Sequence, residues 1–306
     1  MRLELPSSVD TDLWALAEES RAFYAQRPAG RGPRSFDELR RTRAAAAAPT
    51  ESSPPPTIEL VNVGDCSVPI RIHAPVGASA TGVLLELHGG GFYLGSAAGS
   101  DLRNRRISDA LGIAVVSVDY RLAPEHPWPA APDDCETVAR WLVANCESRF
   151  GTSRLAIGGF SAGATLAVAT LLRLRDDGIC AFSAGVLQFG TYDLAAHTPA
   201  GRLIADEYFL AAYAGTATDR TNPDLSPLFA QLDRLPPIFM IIGSDDVLLQ
   251  DNLAMAGRLL AAGVEVELRI YPASPHGFTG HSTSMAHSAL GHIDAWILAR
   301  LSSARD

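Results

Sequence analysis

Between Thr57 and Tyr271 the chain alternates short apolar runs with helical patterns, and few architectures absorb such an alternation. Strand-like runs fall at Thr57–Val63, Val68–Ala74, Val83–Leu87, Ile113–Val118, Leu155–Gly158, Gly185–Phe189, Ile238–Ile242 and Val264–Tyr271. Helical patterns separate the later ones, at Ala131–Cys146, Ala162–Leu174 and Asn252–Ala262. A last helix carries Ala289, Leu290, Ile293, Trp296, Ile297 and Leu301 on one stripe. Strands that are apolar throughout, rather than at every second residue, are buried on both faces. The expected fold class is α/β, an eight-stranded, mostly parallel sheet with helices on both faces. Such sheets bind ligands beyond the carboxyl ends of their strands, so the chemistry is expected in the loops there.

Upstream of the sheet, residues 11–45 read as helical, with Leu13, Leu16, Ala17 and Phe23 on one face. Arg43–Pro56 is rich in alanine and proline, and Ser52-Ser53-Pro54-Pro55-Pro56 cannot be helical, which marks a linker. The N-terminal helices are therefore an attachment and not the start of the sheet.

A net charge of −9 argues against nucleic-acid or anionic-membrane partners. All 25 basic residues are arginine, which excludes a Schiff base or a Ser-Lys dyad. Cys66, Cys135, Cys146 and Cys180 form no Cys-x-x-Cys pair. Cys135 and Cys146 share a helical pattern and stand roughly 16 Å apart, too far to bridge. Reduced thiols are the expectation. No run of about 18 apolar residues and no basic-then-apolar leader is seen. A cytoplasmic protein without membrane contact is expected.

Ser161 lies in Gly159-Phe160-Ser161-Ala162-Gly163, between a strand and a helix. A serine hydroxyl needs a base to take its proton before it can attack. Glycines on either side allow a tight turn and close approach of neighbouring backbone. The helix start also aims N–H groups and a partial positive charge at the serine. His88-Gly89-Gly90-Gly91-Phe92 follows the third strand. Taken alone, three glycines are a flexible loop. Here their N–H groups are placed to join that of Ala162 in stabilising an oxyanion, which makes Gly89, Gly90, Gly91 and Ala162 the candidate donors.

The base should follow the last strand. Of eight histidines, His276 in Pro275-His276-Gly277-Phe278 does so directly, with His281 as runner-up. The acid should follow the seventh strand, where Asp245, Asp246 and Asp251 compete. Asp251 fits the N-cap of a helix starting near Asn252. Spacing alone does not choose between them.

These segments resemble the bacterial hormone-sensitive-lipase-like esterase/lipase family of the α/β-hydrolase fold, over roughly Val83 to Phe278. The resemblance rests on His88-Gly89-Gly90-Gly91-Phe92, Asp119-Tyr120-Arg121-Leu122-Ala123-Pro124-Glu125-His126-Pro127-Trp128-Pro129-Ala130-Ala131, the serine elbow, Gly243-x-x-Asp246-x-Leu248 and His276-Gly277-Phe278. It selects Asp246 as the acid and implies a catalytic triad of Ser161, Asp246 and His276. The Tyr120–Glu125 segment is structural in that family. The resemblance also implies a small helical cap, built from residues 1–50 and an insertion near 194–225 in a catalytic domain of 51–306. It implies hydrolysis of small, uncharged, short- to medium-chain carboxylic esters through an acyl-enzyme, without metal or organic cofactor. A homodimer is compatible with the family, and no residue marks an interface. An amide, formamide or lactone would suit the same triad, so ester hydrolysis is the first reading and these are the second. Receptors on this fold usually lack a triad member, and here all three are present.

The elbow departs from the family's Gly-Asp-Ser-Ala-Gly-Gly at two positions, where Phe160 replaces the acid and Ala164 the last glycine. Phe92, Tyr93 and Phe160 are the candidate pocket residues, joined by the cap aromatics Trp14, Phe23, Tyr208, Phe209 and Tyr213. Phe160 is expected to pack behind the elbow or to line the pocket.

Overall fold

The computed structural model describes residues 11–27, 32–46, 48–64, 66–204 and 207–302. Residues 1–10, 28–31 and 47 of the expected N-terminal segment, and 205–206 of the expected insertion, lie outside them. All eight expected strands form: β1 (Thr57–Val63), β2 (Cys66–His73), β3 (Val83–Leu87), β4 (Ala114–Val118), β5 (Leu155–Phe160), β6 (Phe182–Gln188), β7 (Ile238–Gly243) and β8 (Val266–Tyr271). They join one sheet in the order β1-β2-β4-β3-β5-β6-β7-β8. Only β2 runs against the rest, antiparallel to both β1 and β4. β3, β4 and β7 are buried along their whole length, which is why their sequences are nearly unbroken apolar runs.

Nine helices surround the sheet among the described residues: α1 (Thr11–Ala25), α2 (Phe36–Ala45), α3 (Asp101–Leu111), α4 (Ala130–Phe150), α5 (Ala162–Asp176), α6 (Pro199–Ile204), α7 (Glu207–Ala214), α8 (Leu249–Ala261) and α9 (Ser284–Ser302). One core gathers Cys135, Leu142, Leu171 and Met255, so α4, α5 and α8 cover one face. A second gathers Leu13, Ile107, Met285 and Ile297, so α1, α3 and α9 cover the other.

α3 does not show in the apolar pattern, and its inward face explains why. Asp101, Asn104, Arg105 and Ser108 are buried beside Ile107 and Leu111. Asp101 and Asn104 meet polar partners: Arg71 donates to Asp101 at 2.5 Å, and Asn104, with Ser100 just ahead of the helix, donates to Glu86, a carboxylate buried in β3. Buried polar groups that satisfy one another take the place of an apolar stripe.

The N-terminal helices bind back onto the sheet domain. Ser20 Oγ donates to the Ala273 carbonyl at 2.6 Å, and Glu19 accepts the Ser284 N–H at 3.1 Å. From the end of α2, Arg43 donates to the Tyr93 and Ala123 carbonyls and pairs with Glu125 at 2.7 Å. The helix thus runs into the stretch expected as linker, which begins in earnest only after Ala45.

Candidate active site

The serine elbow is built by close backbone approach. Ser161 sits between β5 and α5 with φ 53° and ψ −123°, a left-handed conformation that a side chain tolerates only under constraint. The constraint is visible. Its N–H donates to the Gln188 carbonyl at 2.9 Å. A Cβ on Gly163 would lie 1.9 Å from the Leu87 carbonyl oxygen, and one on Gly159 would lie 2.4 Å from the Gly163 backbone. Only glycine lets β3, β5 and α5 meet there.

The other two residues arrive from neighbouring strand ends. His276 follows β8, and its Nε2 stands 3.0 Å from Ser161 Oγ. Its Nδ1 stands 3.0 Å from Asp246 Oδ2 and 3.1 Å from Oδ1. Asp246 Oδ1 also accepts the Leu248 N–H at 2.8 Å, which fixes the carboxylate plane. The Asp246 side chain is fully shielded, whereas that of His276 is 37% exposed, so the imidazole is open to a reactant and its partner is not. The Phe189 ring packs edge-on against His276, 5.1 Å between centroids.

The competing residues have other partners. Asp245 accepts from the Ser244 hydroxyl at the surface. Asp251 is not an N-cap, because α8 begins two residues earlier, at Leu249. It is fully buried, accepts the Tyr192 N–H at 2.5 Å, and burial pushes its pKa up to about 7. His281 bonds the Tyr24 hydroxyl at 3.0 Å, away from Ser161.

A cavity of about 660 Å³ opens over Ser161 and His276. Gly90 and Gly91 line it; both have positive φ, and a Cβ on Gly90 would strike the Leu94 carbonyl at 2.0 Å. Ala162 is the first residue of α5, so its N–H has no acceptor inside the helix. Gly89 is not in the cavity lining, and a Cβ there would strike the Phe160 ring at 2.7 Å. His88 holds this loop in place. Its ring stacks on Tyr120 at 4.1 Å, and its carbonyl accepts the Tyr120 hydroxyl at 2.7 Å. Burial pushes the His88 pKa down, so that ring stays neutral.

The expected pocket residues divide. Tyr93, Phe160 and Phe209 line the cavity. Phe92 does not: it is fully buried, with its ring stacked on Tyr213 at 3.7 Å, and it joins α7 to the core. Tyr213 is consumed in that stack, Trp14 is 54% exposed away from the cavity, and Phe23 lies beneath the Arg27 guanidinium. Phe189, Thr191, Leu203, Ile204 and Val247 also line the cavity and carry no sequence signal beyond hydrophobicity or loop position, and Leu248 of the Gly243-x-x-Asp246-x-Leu248 segment joins them. The Tyr120–Glu125 segment proves to be the brace between the glycine loop, α2 and α4, since Arg121 pairs with Asp134 at 2.8 Å while Glu125 pairs with Arg43.

The sheet order, the strained serine elbow and the glycine loop after β3 together define an α/β-hydrolase. The chain belongs to the alpha/beta hydrolase fold family, which matches residues 84–280, and within it to the hormone-sensitive-lipase-like branch. It is 33% identical over 298 residues to the carboxylic ester hydrolase LipN of Mycobacterium tuberculosis, covering 89% of this chain and 77% of that one. It is 32% identical to an arylesterase of Saccharolobus solfataricus over 72% of this chain and 76% of the other. A solved esterase/lipase from an uncultured bacterium superposes with a TM-score of 0.76 at 27% identity, covering 95% of this chain and 99% of that one. Among the described residues no helix is long and apolar enough to cross a membrane, and no cluster of His, Cys, Asp and Glu could hold a metal ion.

Proposed function

We propose that this protein is a serine carboxylesterase acting on small carboxylic esters of short to medium acyl chain. The observation that carries the reading is the unbroken hydrogen-bonded chain Ser161–His276–Asp246, with both links at 3.0 Å, at the floor of an open cavity. His276 Nε2 takes the Ser161 proton as Oγ attacks the ester carbonyl. Asp246 accepts the Nδ1–H, holds that tautomer and stabilises the imidazolium. The N–H groups of Gly90, Gly91 and Ala162 receive the oxyanion; losing one such donor typically raises the barrier by about 3–4 kcal/mol. His276 then gives its proton to the leaving alcohol. Water, activated by the same imidazole, cleaves the acyl-enzyme and restores Ser161.

In this reading α1, α2, α6 and α7 form a cap that narrows the cavity mouth, with Leu203, Ile204 and Phe209 among the lining residues it contributes. The free thiols of Cys135, Cys146 and Cys180 support a reducing, cytoplasmic setting. The relatives named for ester hydrolysis support an ester over an amide or lactone.

A p-nitrophenyl ester chain-length series on wild type and Ser161→Ala tests it. The variant is expected to lose on the order of 10⁶ in kcat. A loss of less than about tenfold would remove Ser161 as nucleophile, and faster cleavage of a matched anilide than of the ester would move the reading to amides.

A further inference from the structure

Behind Phe160 lies a second cavity of about 480 Å³, which shares Phe160, Phe189 and Gly277 as walls with the catalytic cavity. Arg103 of α3 lines it, together with Thr279 and Gly280 from the loop after His276. The Arg103 guanidinium lies over the Phe160 ring, 4.9 Å from its centroid. Its Nε is shut off from solvent and has no acceptor among the described residues.

Two carboxylates pull on Arg103 through space, and the hydrogen bonds of both go to other groups. Glu86 accepts from Ser100, Asn104 and Ser117. Asp294 pairs with Arg106 at 2.5 Å. No acid stands at position 160 to answer the guanidinium; an aromatic face does. A cation–π contact of this kind is worth less than a carboxylate pair in a shielded site. Burial pushes the Arg103 pKa down, yet a guanidinium stays charged at neutral pH. The result is a guanidinium with no carboxylate hydrogen-bonded to it among the described residues, facing a cavity next to Ser161, and such a group can take an anion as direct partner.

We propose that Arg103 anchors a carboxylate-binding subsite, which holds a free carboxylate on the alcohol portion of the ester while the acyl carbonyl sits at Ser161. The alcohol side is assigned because His276 hands its proton to the leaving alcohol, and the cavity wall is the segment directly after His276. The inference rests on the ester hydrolysis argued above and narrows its substrate class. The resemblance alone implies uncharged esters; Arg103 adds acylated hydroxy acids. In the reaction the acyl carbon–oxygen bond breaks, water supplies the new acyl oxygen, and the hydroxy acid leaves with the proton from His276.

The test compares acetoxypropanoate, acetoxybutanoate and acetoxyhexanoate, each with its neutral primary amide, on wild type, Arg103→Met and Arg103→Lys. The readout is the ratio of kcat/KM for acid over amide within one protein, so a general loss of activity cancels. Wild type is expected to favour the acid by about tenfold or more at one chain length, through KM. Arg103→Met should bring the ratio to about one or below, and Arg103→Lys should keep part of it. Mono-p-nitrophenyl succinate, with its carboxylate on the acyl side, should show no such dependence on Arg103. Equal ratios in wild type and Arg103→Met overturn the subsite, as does a gain confined to the succinate. Should Arg103→Met not fold, wild type decides by itself: no preference at any length overturns the proposal. Hydrolysis of the amides without a preference for the acids sinks the subsite alone. Cleavage of the succinate with neither acids nor amides cleaved also sinks the subsite alone, and hydrolysis of none of the three sinks the esterase reading, and the subsite with it.

Discussion

Asp251→Asn should remove a large part of the pH dependence of stability. Asp251 is fully buried at the start of α8, with one oxygen on the Tyr192 N–H and the other without a partner among the described residues. Burial, reinforced by the nearby charge of Asp193, raises its pKa to about 7. An unfolded aspartate titrates near 3.9. The folded chain therefore holds this proton more tightly than the unfolded chain. Stability from the group is fully present below about pH 4 and is lost as pH rises to about 7. Each pH unit between the two values is worth about 1.36 kcal/mol, so the whole effect is about 4 kcal/mol. Between pH 5 and pH 8 the linkage relation leaves about 2.5 kcal/mol of it. Urea unfolding followed by the fluorescence of the four tryptophans, at both pH values, measures it. The wild type should lose about 2.5 kcal/mol more on going to pH 8 than Asp251→Asn does, since the other titrating groups are common to both. The slope is the readout, because the variant also carries an amide N–H with nothing to bond. Identical pH slopes for the two proteins would refute the reasoning.

Asp246→Asn should lower kcat by about 10⁴ in steady-state ester hydrolysis, because the amide no longer enforces the tautomer that leaves Nε2 free. Asp245→Asn, whose exposed carboxylate accepts from Ser244, should stay within about threefold of wild type. Phe92→Ala should lower stability by about 3–5 kcal/mol in urea unfolding, because its ring fills the core under α7. A small stability change with a large rise in KM would return Phe92 to the pocket.

The strands were legible because strands buried on both faces must be apolar throughout, and Val83–Leu87 and Ile238–Ile242 are such runs almost without interruption. Ser161 and His276 were legible because each lies in the loop at the carboxyl end of a strand, β5 and β8 respectively. The proposed acid was not legible from spacing. What separates Asp245, Asp246 and Asp251 is where each carboxylate turns: to a surface serine, to His276, or inward to Tyr192. α3 was hidden because its buried face is polar, satisfied by Arg71 and Glu86 from strands far away in sequence. Phe92 and Phe160 follow or precede functional residues by one position, yet one is core and the other is wall. That difference is set by backbone direction at the loop, where Phe92 itself takes a positive φ of 66°.

Fluorophosphonate labelling of the folded protein, with the adduct mapped by peptide mass, asks most directly whether one serine has been made nucleophilic. A single adduct on Ser161 is expected in wild type, and none above background in His276→Ala. An adduct on another serine, no adduct at all, or equal labelling of Ser161 in both proteins would contradict the assignment.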